Sequence, residues 1–147
     1  MKRASVLKWA HRSLITYRMK TYLEVLKKYA VFTGRARRKE YWLFFLVNTI
    51  ISILIGAVLG VIGLEELAMP VGIIYALVML LPNLGVTFRR LHDTGRSGWW
   101  LLILLVPFVG VIVFFVFMAL DSQPGDNKYG PNPKGVAGPA IPAVPAI

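Results

Sequence analysis

The chain has 147 residues, of which 56% are hydrophobic and 16% are charged, and its formal net charge at pH 7 is +10. This composition excludes a disordered basic tail, because such chains lack the Leu, Ile, Val and Phe that offset the entropy cost of ordering. The chain contains no cysteine, which excludes disulfides, thiolate metal sites, iron–sulfur clusters and cysteine nucleophiles.

The N-terminal part of the chain is basic and contains one helical pattern. Residues 1–18 form a basic extension without a clear hydrophobic period. A helical spacing then follows in Tyr22, Leu23, Leu26, Tyr29 and Ala30, which predicts a short amphipathic helix. This helix either lies among lipid headgroups or packs on the inner face of a helix bundle. Met19 is an alternative start of the natural protein, since the better-organised helix begins after it.

Three long segments without any charged residue or histidine follow, and they decide the fold class. They are residues 41–64, 67–88 and 99–120, which are 24, 22 and 22 residues long. A helix of about 20 apolar residues crosses the roughly 30 Å hydrocarbon core of a bilayer. The sequence therefore predicts an all-α integral membrane protein with three transmembrane helices. Pro70, Pro82 and Asn83 weaken the second segment, for which a re-entrant or interfacial course is the alternative.

The basic residues predict the orientation, because Lys and Arg near span ends stay on the cytoplasmic side. Twelve of the 17 Lys and Arg residues precede Tyr41. The link between the first two segments holds only Glu65 and Glu66, whereas the link 89–98 holds three arginines. We therefore expect the N-terminus and the amphipathic helix in the cytoplasm and the C-terminus in the periplasm. The positive charge then requires no nucleic-acid partner.

The end of the chain differs sharply in composition from the spans. The 27 residues from Asp121 onward contain six prolines and four glycines, a density that excludes regular helices and strands. We expect a turn-rich patch at 121–133 and a disordered Pro/Ala-rich tail at 134–147. The predicted organisation is thus a basic extension at 1–18, a membrane domain at 19–133 and the tail.

Polar residues inside the spans are few, and they are candidate helix–helix contacts. Asn48 and Ser52 lie in the first span, and Asn83 and Thr87 lie in the second. Their depths predict a contact or near-contact between Asn48 and Asn83 on the cytoplasmic half of the membrane. Alternatively, the four residues line a pathway that forms on oligomerisation. The spans contain no ionisable residue, which argues against a proton relay or a charged-ring channel.

A second group of candidate residues flanks the spans at the predicted cytoplasmic border. Its members are charged or titratable: Arg35, Arg38, Glu40, Arg89, Arg90, His92 and Asp93. We expect a carboxylate of this group to pair with its arginines while the remaining guanidinium groups bind lipid phosphates. The alternative is that the arginines only set the orientation. His92 and Asp93 are adjacent in sequence, a poor arrangement for catalysis, so we expect no enzyme, metal site or cofactor.

Three motifs in order resemble the DUF805 family of small bacterial inner-membrane proteins. They are FTGRARRKEYW at 32–42, RRLHDTGRSGWW at 89–100 and PGDNKYGPNP at 124–133. The resemblance implies a compact inner-membrane protein of unknown molecular function, and it supplies no catalytic residues. We expect a non-enzymatic scaffold, lipid-interacting protein or accessory subunit that binds anionic headgroups and forms a homo-oligomer or joins a membrane protein partner. A small transporter or channel component is the alternative.

Overall fold

The computed structural model describes residues 2–135, with side chains from residue 15 onward. The described part of the chain contains helices and no β-strand. Its α-helices are α1 (Lys2–Lys27), α2 (Arg38–Val61), α3 (Ala68–Asp93) and α4 (Val109–Ala119). Two 3₁₀ helices lie at Glu65–Leu67 and Gly98–Leu105. The predicted all-α class is confirmed. The predicted disordered tail falls almost entirely on residues 136–147, outside the described residues.

Two of the helices are long and apolar enough to cross a membrane. These are α2, with a mean hydropathy of 2.4, and the 29-residue helical stretch Glu65–Asp93, with a mean hydropathy of 2.0. At a rise of 1.5 Å per residue, each exceeds the roughly 30 Å hydrocarbon core. Within the most apolar 18-residue stretch of each helix, only 11% and 6% of the stretch is buried inside the protein. Such uncovered apolar surface is suited to a hydrocarbon solvent.

The described residues form two compact units, and α2 and α3 each contribute to both. The first unit contains residues up to 30 together with 42–85. The second unit contains residues 31–41 together with those from 86 onward. The first unit therefore holds most of the two spanning helices, whereas the second holds their Arg-rich ends, α4 and the Gly/Pro-rich segment that follows it.

In the first unit, α1 is longer than the predicted amphipathic helix and includes the basic extension. Its last turns bury Val25 and half-bury Tyr22 and Leu26, and this i, i+3, i+4 spacing is that of an amphipathic face. The ring of Tyr22 stacks on Phe44 of α2 with the ring centroids 5.3 Å apart. Tyr29, predicted to lie on the same face, is exposed because the helix ends at Lys27.

The third apolar segment differs from the prediction of one continuous helix at 99–120. It forms the eight-residue 3₁₀ helix Gly98–Leu105, a turn at 106–108 and the 11-residue helix α4. The turn contains Pro107, and Phe108 has a φ of +59°, which lies outside the right-handed helical region. We call residues 98–120 the apolar hairpin, because its two arms pack against each other.

Close contacts explain why the hairpin folds back. A Cβ atom on Gly110 would overlap the carbonyl group of Ile103, so only glycine permits the two arms to approach at this point. Nearer the open end, Trp100 and Phe117 form an edge-to-face pair with ring centroids 5.4 Å apart. The guanidinium of Arg96 lies over the same Phe117 ring at 4.2 Å. The contacts 100–117 and 103–110 are those of a hairpin that turns near residue 107.

Candidate functional site

The centre of the second unit is the carboxylate of Asp93, the last residue of α3. Its side chain is fully buried, yet each oxygen accepts hydrogen bonds: Oδ1 from Arg35 at 3.0 Å, and Oδ2 from Arg90 and from the Ser122 hydroxyl at 2.6 Å. A buried carboxylate is tolerated when its charge is paired and its oxygens are bonded. We call Asp93, Arg35, Arg90 and Ser122 the Asp93 cluster.

Arg35 uses its planar fork to join three separate parts of the chain. Its side chain is 1% exposed, and besides Asp93 it donates to the carbonyl oxygens of Gln123 at 2.6 Å and of Gly125 at 2.7 Å. The backbone N–H of Gln123 donates in turn to the Asp93 carbonyl at 2.9 Å. Several donors at fixed angles are a property of Arg that Lys lacks. This residue therefore attaches the segment after α4 to the end of α3.

Arg90 holds the C-terminal end of α4. It donates to the carbonyl oxygens of Met118, at 3.2 Å, and of Leu120, and exposed Arg38 donates to that of Ala119 at 3.2 Å. The last carbonyls of a helix have no partner within the helix and carry a partial negative charge. Two cations thus cap α4 where the apolar hairpin ends.

Around this centre, His92 takes part in packing rather than facing open space. Its ring stacks on Tyr129 at a centroid distance of 3.8 Å, and its Nδ1 lies 3.3 Å from the carbonyl oxygen of Gly34. Asn127 donates to the His92 carbonyl at 2.9 Å. His92 is 8% exposed. The histidine therefore connects the loop before α2 with the turn at 127–130.

The remaining predicted members of the group lie at different depths. Arg89 is buried and the charge of Glu40 acts on it. Arg38 is 47% exposed and lies 3.8 Å from the carboxylate of Asp121. Asp121 also accepts a hydrogen bond from Lys134, which lowers the pKa of this exposed carboxyl below its ordinary value. Arg38 and Asp121 therefore remain within reach of solvent, unlike the Asp93 cluster.

Sequence reasoning placed Arg35, Arg90, His92 and Asp93 in one group, and the structure brings these four together. Sequence reasoning did not identify four further residues that contact this group, namely Ser122, Gln123, Asn127 and Tyr129. Those residues belong to the segment expected to lie on the opposite side of the membrane. The motif at 124–133 was the available signal, but its role depends on backbone carbonyls and stacking that residue types alone do not reveal.

The polar residues of the spans have hydrogen-bond partners that sequence reasoning did not identify. Asn48 is buried and accepts a 2.6 Å hydrogen bond from the hydroxyl of Tyr75, while Asn83 donates to the carbonyl of Met79, one turn earlier in α3. The bond that links the two spans is thus Asn48–Tyr75 and not Asn48–Asn83.

A cavity of about 380 Å³ lies beside this bond in the first unit. Three of the four predicted polar residues line it, namely Asn48, Ser52 and Asn83. Thr87 is buried in the second unit and does not belong to the lining. Among the described residues no group of three metal-ligating side chains converges.

Comparison with known proteins gives a consistent family match. A family model described as "Protein of unknown function (DUF805)" matches residues 29–131. The chain is 48% identical over 119 residues to "Inner membrane protein YhaH" of Escherichia coli (strain K12), which covers 79% of this chain and 98% of that protein. It is 47% identical over 117 residues to "Inner membrane protein YhaI" of the same organism, covering 79% and 97%. No solved structure matches the chain.

Proposed function

Because the chain belongs to the DUF805 family of proteins of unknown function, we propose a role for it from the Asp93 cluster: a non-enzymatic inner-membrane scaffold or accessory subunit that interacts with anionic lipids. The observation that carries this proposal is that the buried charges of the second unit bind one another and backbone carbonyls. Asp93 accepts from three side chains, and Arg35 and Arg90 donate to six carbonyl oxygens in addition. Charges used in this way hold a fold together.

The same contacts support a non-enzymatic role. A general acid or base must reach a proton of the substrate and needs a pKa near the working pH. Asp93 is enclosed and doubly ion-paired, and the His92 ring is covered by Tyr129. We infer that both residues act as structural members of the second unit.

The proposed orientation places residues up to 40 and the link 89–98 in the cytoplasm, with α2 and α3 as the spans. The large excess of basic residues before Tyr41 supports this orientation. Trp99 and Trp100 follow the link and are 78% and 47% exposed, as aromatic residues at a membrane–water interface commonly are. The relatives that are named inner membrane proteins support the same compartment.

The lipid contact is assigned to exposed cations rather than to the buried arginines. Arg38 and Lys39 begin α2 and are exposed, whereas Arg35 and Arg90 are engaged within the protein. Basic residues at the cytoplasmic surface attract anionic lipids by about 1 kcal/mol each. The sequence predicted lipid phosphates on the guanidinium groups left unpaired by the carboxylates, and among those arginines we assign the contact to exposed Arg38.

The test is retention of anionic lipid by the purified protein, measured by native mass spectrometry after exchange into mixed micelles of phosphatidylglycerol and phosphatidylcholine. We expect R38Q/K39Q to lose several-fold more bound phosphatidylglycerol than the matched double variant R18Q/K20Q, which removes equal charge from exposed positions of α1. Equal losses in both variants would show that net charge alone attracts the lipid, and unchanged retention in R38Q/K39Q would remove the lipid contact.

A transporter or channel component is the second candidate, and the cavity beside Asn48 favours it. If this cavity belongs to a pathway that forms on oligomerisation, water must reach Ser52 in its lining. We propose labelling S52C in membranes with a small water-soluble methanethiosulfonate, with I50C as the matched exposed position outside the cavity lining. Selective labelling of S52C would favour transport, and equal protection of both variants would favour the scaffold.

A further inference from the structure

The apolar hairpin begins and ends at the same place in the second unit. Its first residue, Gly98, packs on the ring of Phe88 so closely that a Cβ would overlap that ring. Its last residue, Leu120, is bound through its carbonyl by Arg90 of the same helix, α3. Two residues further on, the hydroxyl of Ser122 donates to the carboxylate of Asp93 at 2.6 Å. Both ends of the hairpin are therefore attached to the last two turns of α3.

The arms of the hairpin are too short to cross a bilayer separately. Eight residues of 3₁₀ helix and 11 residues of α-helix each extend about 16 Å, at rises of about 2.0 Å and 1.5 Å per residue. This is half of the roughly 30 Å hydrocarbon thickness. An arm that starts at one surface thus reaches about the middle of the membrane, where the second arm starts back.

Non-helical backbone in hydrocarbon is costly unless its polar groups are bonded. Within the turn, the N–H groups of Val106, Val109 and Gly110 donate to the carbonyls of Ile103, Pro107 and Val106. Pro107 has no N–H to satisfy. The side chain at the tip is Phe108, which is 85% exposed and apolar. Three N–H groups of the turn are thus bonded and its tip is apolar, which favours a position among acyl chains.

We propose that the apolar hairpin enters and leaves the membrane on one side as a re-entrant element whose surface partner is the acyl chains of one leaflet. Residues 121–135, which we call the return segment, then lie on the same side as Arg35. Resting on the orientation of the proposed function, that side is the cytoplasm. This corrects the expected periplasmic C-terminal segment, since Arg35 cannot bind the carbonyls of Gln123 and Gly125 across a bilayer.

In this placement the return segment faces the cytoplasm. Its exposed side chains include Gln123, Asp126, Lys128 and Lys134, and it is held on its inner face by Arg35 and His92. A ligand or protein of the periplasm cannot reach this surface in the proposed arrangement. Residues 121–135 thus form an ordered, hydrogen-bonded segment that includes the predicted turn-rich patch at 121–133.

The test uses the absence of native cysteine. Single variants K134C, R18C and E66C, at three exposed positions, are labelled in spheroplasts with a membrane-impermeant maleimide, before and after permeabilisation. K128C gives a second reading of the return segment that does not disturb the Lys134–Asp121 pair. We expect K134C, K128C and R18C to react only after permeabilisation and E66C to react in both conditions.

Two other outcomes separate the inference from the proposed orientation. Labelling of K134C and K128C in intact spheroplasts while R18C stays protected would overturn the re-entrant hairpin, because the return segment would then lie across the membrane from the N-terminal helix. Labelling of all three with E66C protected would support the hairpin and contradict the cytoplasmic orientation instead.

Discussion

The first and third apolar segments are similar in length and equally free of charge, yet they fold differently. Residues 41–64 fall almost entirely within the continuous helix α2, whereas residues 99–120 form two short arms around a turn. Gly56 and Gly60 in α2 have open space where a Cβ would lie, whereas Gly110 is in contact with the backbone of Ile103. Hydrophobicity predicts that a segment enters the membrane. Close backbone contacts and bonded ends decide whether it crosses.

The largest expected effect concerns the ends of the hairpin. Asp93→Asn removes the only charge that pairs with Arg35 and Arg90 inside the cluster and leaves two guanidinium groups buried without a carboxylate. Breaking a buried pair in this way costs about 3–5 kcal/mol. We predict a large drop in the thermal midpoint in detergent for D93N. The same acid-to-amide change in Glu66→Gln, at an exposed position, should leave the midpoint unchanged.

The next effect concerns Arg35 and distinguishes its geometry from its charge. Arg35→Lys keeps the charge but cannot reach Asp93 and the carbonyls of Gln123 and Gly125 together. The lost bonds to a charged donor predict a destabilisation of about 2–3 kcal/mol. The matched control is Arg38→Lys, at a half-exposed position, which should change stability by less than about 1 kcal/mol. If both variants unfold at the same temperature, the return segment is not held by Arg35.

Two glycine-to-alanine substitutions, one next to the turn of the hairpin and one in α2, are expected to change the free energy of unfolding in opposite directions. Gly110→Ala forces the two arms apart and should cost about 1–3 kcal/mol. Gly56→Ala, in the middle of α2 with nothing within 4 Å of the new Cβ, should stabilise the helix by about 0.5–1 kcal/mol. Thermal unfolding of the two variants measures the difference. Stabilisation by both substitutions would indicate that residue 110 lies in an uninterrupted helix.

The strained backbone of Phe108 allows a second test of the same turn. A non-glycine residue at φ +59° costs on the order of 1 kcal/mol or more. Phe108→Gly removes that strain and, because the side chain is 85% exposed, sacrifices little packing within the protein. We predict that F108G unfolds at the wild-type temperature or above it. In a continuous helix the same substitution would lower stability by about 1 kcal/mol.

The smallest effect is expected at the exposed pair of Asp121 and Lys134. The hydrogen bond from Lys134 lowers the pKa of Asp121, so its contribution to stability is present above the unfolded-state pKa and is lost as the pH falls through the folded-state value. Lys134→Gln should therefore reduce the acid dependence of unfolding below about pH 4 and leave stability near neutral pH almost unchanged. An acid limb identical to that of the wild type would contradict this contribution.

The two helices long and apolar enough to cross a membrane and the all-α class followed from the sequence, because a bilayer imposes a minimum apolar length that can be read residue by residue. The grouping of Arg35 with Asp93 followed in outline from their positions beside the spans. The hairpin could not be predicted from the sequence, since Pro107 and Gly110 are tolerated in a spanning helix as well as in a turn. What distinguishes the two courses is the binding of helix-end carbonyls by Arg90 and Arg38, a contact between residues about 30 and 80 positions apart.

The most direct test of the central claim is the distance between the two ends of the third apolar segment. Spin labels at W99C and D121C, both exposed positions, can be measured by pulsed electron paramagnetic resonance in lipid nanodiscs. A continuous helix over these residues would separate the labelled positions by about 33 Å. The re-entrant hairpin predicts a single narrow distribution centred well under that value, at about 20 Å or less, since two half-membrane arms return to one surface. A distribution centred near 33 Å would contradict it.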